Sequence, residues 1–489
     1  MQFKKSALFC SIAFAAMAAG SAHAALTGTP KTVVDDAVAG HRVLFISGAS
    51  AVQKGFESVV AGLFQGTPTY FSIASADGAS FDKANYVAVA GKLVADSAAG
   101  GWNDKNSIII YRVKGGSVYG VNSVAKADLI ESMDVNSTTC GTTGAGTAAS
   151  PYSCPTTDLI PDAGVSDVNP KHFVNPQNTE GEIPADQLTD GERAVLTSTA
   201  MYGLAFGVPV TKAVPAATVL SRSTLSAIMA GNITDWSSVK NAGSGPMIIC
   251  RRVPGSGTQA VMNLWANNLS CPGVAVAPAD RYSGSGFNES TNYPAVKHNY
   301  VIDASTTGLV VIENSSSADV RSCLDKAQAG GNYDTSDRDG KLMNVKFVTT
   351  GNKAIGVLSL DSLDKSKSTG NWQFRSLDGA GTYTWDNTSN APVASGSGKF
   401  PTLDAYESGE WDLQGWASFN VPARTTGDKA SLLSFFLSKV QNPAVLAATS
   451  SLKNVAAAIP GGSYTGSQVL DAEYLGGDQC APFSHNYND

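Results

Sequence analysis

The chain carries little charge. Only 15% of its 489 residues are Asp, Glu, Lys or Arg, and the formal balance is acidic, at −7. That sign argues against nucleic acid as a partner, because phosphodiester backbones are held by clustered cations. Histidines number only five. None sits in an H-E-x-x-H pattern, and no two cysteines have C-x-x-C spacing, which removes the usual sequence grounds for a metal centre. G-x-S-x-G is absent around Ser256, where Pro254 stands two residues earlier. The run SGSGKF at 395–400 lacks the leading glycine of a nucleotide-binding loop. No nucleophile–base pair and no cofactor motif emerges, so the expectation is a protein that is not an enzyme. Long apolar runs are missing too: the stretch ALFCSIAFAAMAAG falls short of the about 20 residues that a membrane span needs.

That short run has another use. Preceded by MQFKK and followed by AHA and Ala25, it has the layout of a secretory signal peptide, predicted to be removed after residue 24. The product would be periplasmic or released outside the cell. Losing Lys4 and Lys5 with it takes the formal charge from −7 to −9. Six cysteines then remain, Cys140, Cys154, Cys250, Cys271, Cys323 and Cys480, and an even number in an oxidising compartment favours disulfides. Of the possible pairings, the local ones, Cys140 with Cys154 and Cys250 with Cys271, are preferred, which leaves Cys323 for Cys480.

The length suits two or three domains of about 100–200 residues each. RVLFI at 42–46 reads as a buried strand; after the turn SGAS, Val52, Phe56, Val59, Val60 and Leu63 share one helical face. Ser50 and Gln53 have the spacing of a capping box. SIIIYRV (107–113) is a second strand, ending in GGSVYG, and LIPDAGVSDVNP (159–170) a third, ending at Asp167. Residues 132–160, rich in Ser, Thr and Gly, read as an insertion tied at its neck, and 378–410 as a second one. MYGLAFGVPVTKAV (201–214) is long and apolar enough to cross between domains. Helices are predicted at 223–230, stopped by Gly231, and at 429–440, before Pro443. Residues 272–300 read as polar loop, and His41, His172, His298 and His485 as surface residues. Strands alternating with helices make the chain α/β.

Three turns share one design, a strand that ends in glycine and hydroxyl residues before a helix: SGAS (47–50), GGSVYG (115–120) and PGSGT (254–258). A helix start leaves N–H groups unpaired and carries a partial positive charge; glycines admit a ligand closely and hydroxyls add donors. These are the elements of an anion site in an acidic protein. Arg251 and Arg252 precede the third turn, and strand alternation sends them to opposite faces, so one of them can join it. Asp167 differs in kind. A carboxylate beside a bound anion repels it unless the anion carries a proton, as phosphate does and sulfate does not.

Taken in order, SGASAVQKGF, YRVKGGSVYGV, DAGVSD, LSRSTLSAIMAGNITDW, RRVPGSGTQAV and KAIGVLSL make the chain resemble the phosphate-binding proteins of bacterial ABC uptake systems. The resemblance implies a type II periplasmic binding protein fold, with two α/β lobes joined by two crossover segments. Residues 25–206 and 359–489 would form the first lobe and 207–358 the second. It implies inorganic phosphate in the cleft, touched by Ser50, Ala51, Ser117 and Asp167 from one lobe and by Arg252, Ser256, Gly257 and Thr258 from the other. The partner would be an ABC permease of the inner membrane, and the receptor a monomer. The chain departs from the family at the first turn, where Ala51 and Val52 replace a hydroxyl donor and leave Ser50 to compensate. Two other functions compete: an extracellular protein reusing the fold for adhesion or surface structure, and a secreted phosphatase.

Overall fold

The computed structural model describes residues 25–442 except 74–80, 82–83, 175–176, 180–186, 282–286, 291–296, 366–369, 390, 403–404 and 407–408. Beyond 442 it describes 445, 457–458, 469–470 and 479–480. The predicted signal segment, residues 1–24, lies outside the described residues, as does His485.

Two sheets organise the chain. The first has nine strands, with Val43–Gly48 at its centre between Asn106–Arg112 and Ala163–Ser166. All three run parallel, with Ser47 opposite both Arg112 and Gly164. Strands buried on both faces need no polar alternation, and LFIS, SIIIY and AGVS show none. The second sheet has seven strands, with Met247–Arg252 parallel to Leu309–Asn314 on one side and to Ala354–Gly356 on the other. Asn314 ends level with Arg252. In parallel sheets the loops at the carboxyl ends of the strands form the ligand crevice. Here five such ends, after Gly48, Arg112, Ser166, Arg252 and Asn314, supply the residues treated below.

The chain passes from the first sheet to the second where the strand Leu196–Gly207 gives way to Pro209–Thr211, within the predicted crossover. It returns where Ala354–Gly356 gives way to Leu358–Ser359. After that return the structure departs from the sequence reading. Residues 359–489 were expected in the first lobe throughout, but Trp372–Arg375 pairs with Pro209–Thr211, and Gly381–Asp386 and Ala391–Gly396 extend the same second sheet. The predicted insertion at 378–410 thus contains a hairpin of that sheet. The chain then rejoins the first sheet as Gln414–Pro422, between Ala163–Ser166 and Leu196–Gly207.

Two further readings are corrected. Residues 272–300 are not all loop: Phe287–Ser290 and Lys297–Ile302 are neighbours in a four-stranded sheet. Only Cys140–Cys154 forms among the three expected disulfides; the others are Cys250–Cys323 and Cys271–Cys480. The physical reason is the packing of the helix Ser317–Ala329 on the strand Met247–Arg252, which brings the fully buried Cys323 onto Cys250. Cys271 follows the C-terminal end of the helix Gly257–Asn267, away from that strand, and meets the C-terminal segment instead.

The helix predicted after SGAS begins at Gln53, and Val52, Phe56, Val59, Val60 and Leu63 are all buried. Phe56 stacks on Tyr111 at 4.1 Å and meets Phe436 of the helix Gly427–Val440 at 5.3 Å. The buried hydroxyl of Tyr111 donates to the Ala49 carbonyl, so this aromatic layer fixes the first turn from below.

Candidate anion site at the strand ends

The residues that sequence reading selected come from distant segments, and the structure brings most of them to neighbouring strand ends in two buried hydrogen-bonded groups, one around Arg252 and one around Asp167. Arg252 lies at the centre of the first. It closes the strand Met247–Arg252 and is 1% exposed. Its Nη1 donates to the hydroxyls of Ser50 (2.8 Å) and Ser317 (3.3 Å), Nη2 to the Ser315 carbonyl (2.6 Å) and Nε to the Asn314 carbonyl (3.2 Å). Alternation sends Arg251 the other way, where its Nη2 lies 2.9 Å from Glu313. Arg338 also holds Glu313. Burial alone would raise the carboxyl of Glu313, but the two guanidinium groups outweigh it and hold it below the usual range.

Ser50 does not cap the following helix. Val52 occupies the cap position without a side-chain bond, and the amide of Gln53 donates instead to the carbonyls of Phe81 and Ala84. The Ser50 hydroxyl is thereby left to Arg252 and to Ser317, 3.0 Å away. Ala51, which carries no hydroxyl, is buried beside it. Ser256 caps the helix Gly257–Asn267, its hydroxyl accepting from Gln259 N–H.

Asp167 leaves the strand Ala163–Ser166 and is 1% exposed. Its Oδ2 accepts from Thr258 Oγ1 at 3.0 Å, while its buried Oδ1 has no hydrogen-bond partner among the described residues. Its N–H donates to Ser117 Oγ at 3.2 Å. Burial pushes the Asp167 carboxyl up to about 7, and Asp361 adds to the rise; the Thr258 hydroxyl and Arg252 oppose it. A carboxyl whose folded value lies above its unfolded one, near 3.8, binds more protons in the folded state. Its contribution to stability is therefore complete below about pH 4 and is lost as pH rises to about 7. Wild-type protein is accordingly expected to lose stability relative to Asp167→Asn between those limits. Paired denaturant titrations at pH 4.5 and 8 would show it, and a pH-independent difference would contradict it.

The two sheets touch through their turns. Val118 N–H donates to the Gly255 carbonyl at 2.8 Å. Gly257 sits where no side chain fits: a Cβ there would lie 2.3 Å from Ser117 Oγ, 2.7 Å from Asp167 Cβ and 2.9 Å from Asp167 N. Gly116, at φ +85°, adopts a left-handed conformation, and a Cβ on it would meet the Ser256 Cα at 3.0 Å. Behind the turn, the Arg112 guanidinium lies 3.9 Å from the centre of the Tyr119 ring, and Ser47 Oγ donates to the Tyr119 carbonyl at 2.7 Å.

The sequence reading missed Ser315 and Ser317. The signal was present: LVVIEN followed by SSSAD is a fourth strand ending in hydroxyl residues before a helix, and Ser316 and Asp319 form the capping box that starts it. Two histidines read as surface residues are buried. His172 is 0% and His298 4% exposed. The first packs between segments, its Nδ1 3.0 Å from Ser270 Oγ; the second lies in a strand beside Asp337. Among the described residues no cluster of His, Cys, Asp and Glu is arranged to hold a metal ion, and no helix is long and apolar enough to cross a membrane.

Comparison with known proteins places a PBP superfamily domain at residues 177–395, a span that ends within the last strand of the second sheet. No curated protein matches the chain. Among solved structures it is similar to an ABC-type phosphate transport receptor from Vibrio cholerae, at 13% identity and a TM-score of 0.36, over 81% of this chain and 93% of that one. It is also similar to a phosphate-binding protein from Stenotrophomonas maltophilia, at 12% identity and a TM-score of 0.36, over 82% and 84% of the two chains. The described fold is mixed α/β, built on two large sheets.

Proposed function

We propose that this two-lobed chain, with its PBP superfamily domain at residues 177–395, is a receptor that captures inorganic phosphate between its sheets. It hands the ion to an ABC permease, acts as a monomer and works outside the inner membrane. Arg252 supplies the positive charge. Ser50, Ser117, Thr258 and Ser317 supply hydroxyls, and the starts of the helices Gly257–Asn267 and Ser317–Ala329 supply oriented dipoles. Ser50, already 2.8 Å from Arg252, takes the part of the donor that Ala51 and Val52 lack.

The observation that carries the reading is the Asp167 carboxylate set among these donors with Oδ1 unpartnered. Donors alone would hold any small oxyanion. Above about pH 7 the carboxylate is ionised and needs the anion to bring a proton of its own, which monohydrogen phosphate still does and sulfate does not. Entry requires the lobe-to-lobe bonds to part, Arg252 from Ser50 and Thr258 from Asp167. A bound ion then replaces them with bonds to its own oxygens, and closure buries it away from water.

Calorimetry on residues 25–489 at pH 8 is expected to show micromolar or tighter phosphate binding and no response to sulfate. Asn in place of Asp167 can donate to a fully ionised oxyanion. Asp167→Asn should therefore bind sulfate at least tenfold more tightly than wild type does. A phosphate-to-sulfate preference that survives the substitution, or silence of the wild type with both ions, would end the proposal.

A further inference from the structure

We infer that Gln479 and Cys480 position the Asp167 segment of the anion site, and that the Cys271–Cys480 disulfide ties this positioning to the helix that carries Thr258. The inference rests on the receptor reading for its functional consequence, though not for its geometry. Asp167, Val168 and Asn169 leave the first sheet together. The N–H of Asn169 donates to Gln479 Oε1 at 3.0 Å, and Gln479 is 8% exposed. The next residue, Cys480, is bonded to Cys271, just beyond the end of the helix Gly257–Asn267. One end of that helix thus presents Thr258 to Asp167, and its other end leads to the disulfide.

Gly415 marks the point where these parts converge. A Cβ there would lie 2.9 Å from Val261 of the helix, 3.1 Å from the Asp167 carbonyl and 3.5 Å from Gln479 Nε2. The helix is held a second time, from Asn263 in its body and from Ser270 beyond its end. Asn263 Nδ2 donates to Asn178 Oδ1 at 2.9 Å, Asn178 Nδ2 donates to the His172 carbonyl at 3.0 Å, and the His172 ring contacts Ser270 beside Cys271. The Gln479–Cys480 strap therefore has two jobs. It supplies the acceptor that fixes the backbone two residues after Asp167, and it limits how far the helix can swing from the first lobe.

Three variants of residues 25–489 test this: Gln479→Ala, Gln479→Glu and the double variant Cys271→Ser, Cys480→Ser. Hydrogen exchange of the segment around Asn169, read without any ligand, should quicken at least tenfold in Gln479→Ala and stay slow in Gln479→Glu, which keeps the acceptor. Phosphate affinity should fall about fivefold or more in Gln479→Ala and in the cysteine variant. A role confined to general stability would lower the melting temperature and leave affinity and local exchange as in wild type, and that result would overturn the inference. Should wild type fail to bind phosphate at all, the receptor reading falls while the exchange measurement still decides whether the strap holds the Asp167 segment.

Discussion

Arg252→Ala is expected to weaken phosphate binding about 100- to 1,000-fold and to lower the melting temperature as well. The guanidinium is the centre of a buried cluster, with four hydrogen bonds to four residues and 1% exposure. Truncation removes this cation and leaves the carbonyls of Asn314 and Ser315 facing a void. Hydrogen bonds from a charged group contribute about 1.5–3 kcal/mol each, and losing about 3–4 kcal/mol of them at the ion corresponds to the stated range at about 1.4 kcal/mol per tenfold. Arg252→Lys should rescue little of this. A single ammonium cannot reach two hydroxyls on one side and two carbonyls on the other, which the planar fork of arginine does. Titration calorimetry on the folded variants measures the effect. Binding within tenfold of wild type in Arg252→Ala would place the anion elsewhere.

Gly257→Ala is expected to act on the site by a steric route. Alanine is a better helix residue than glycine by up to about 1 kcal/mol, and the helix Gly257–Asn267 begins at this position. That gain is smaller at a first helical residue, and the overlap with backbone outweighs it, so the melting temperature should fall. The new methyl meets Ser117 Oγ at 2.3 Å and Asp167 N at 2.9 Å. Ser117 can rotate away, but the backbone nitrogen of Asp167 cannot. The turns are then held apart, and with them Thr258 from Asp167 and Gly255 from Val118. A loss of phosphate affinity of about 100-fold is expected, together with a larger radius of gyration by small-angle scattering in the presence of phosphate. Unchanged affinity would show that the close approach at Gly257 has no part in binding.

These two residues also show what the sequence makes legible. Arg252, Gly257 and Thr258 stand in a single stretch, RRVPGSGT, whose strand, turn and helix start can be read from apolar periodicity and turn chemistry alone. The same holds for SGAS, GGSVYG and the end of AGVS, each a local signal at the end of a strand. Contacts made between such segments are another matter. Ser317 reaches Arg252 because the helix Ser317–Ala329 packs on one particular face of its strand, and nothing in SSSAD states which face. That face also decided the partner of Cys250, so a preference for near neighbours failed there while succeeding for Cys140 and Cys154. Residues 372–396 were misassigned for a related reason. Which sheet edge a hairpin extends depends on where Pro209–Thr211 leaves an edge open, a property of the assembled sheet.

The cysteine connectivity sets a condition on how the chain matures. Cys140 and Cys154 are 14 residues apart and can join as soon as both are exposed to an oxidant. Cys250–Cys323 and Cys271–Cys480 interleave, and the second spans 209 residues. Oxidation in order of appearance would couple Cys250 to Cys271 before either native partner arrived. Correct pairing therefore demands a delay until Cys480 is free, or an isomerase able to undo the early bond, so that the yield of native protein should follow disulfide-shuffling capacity rather than translation rate.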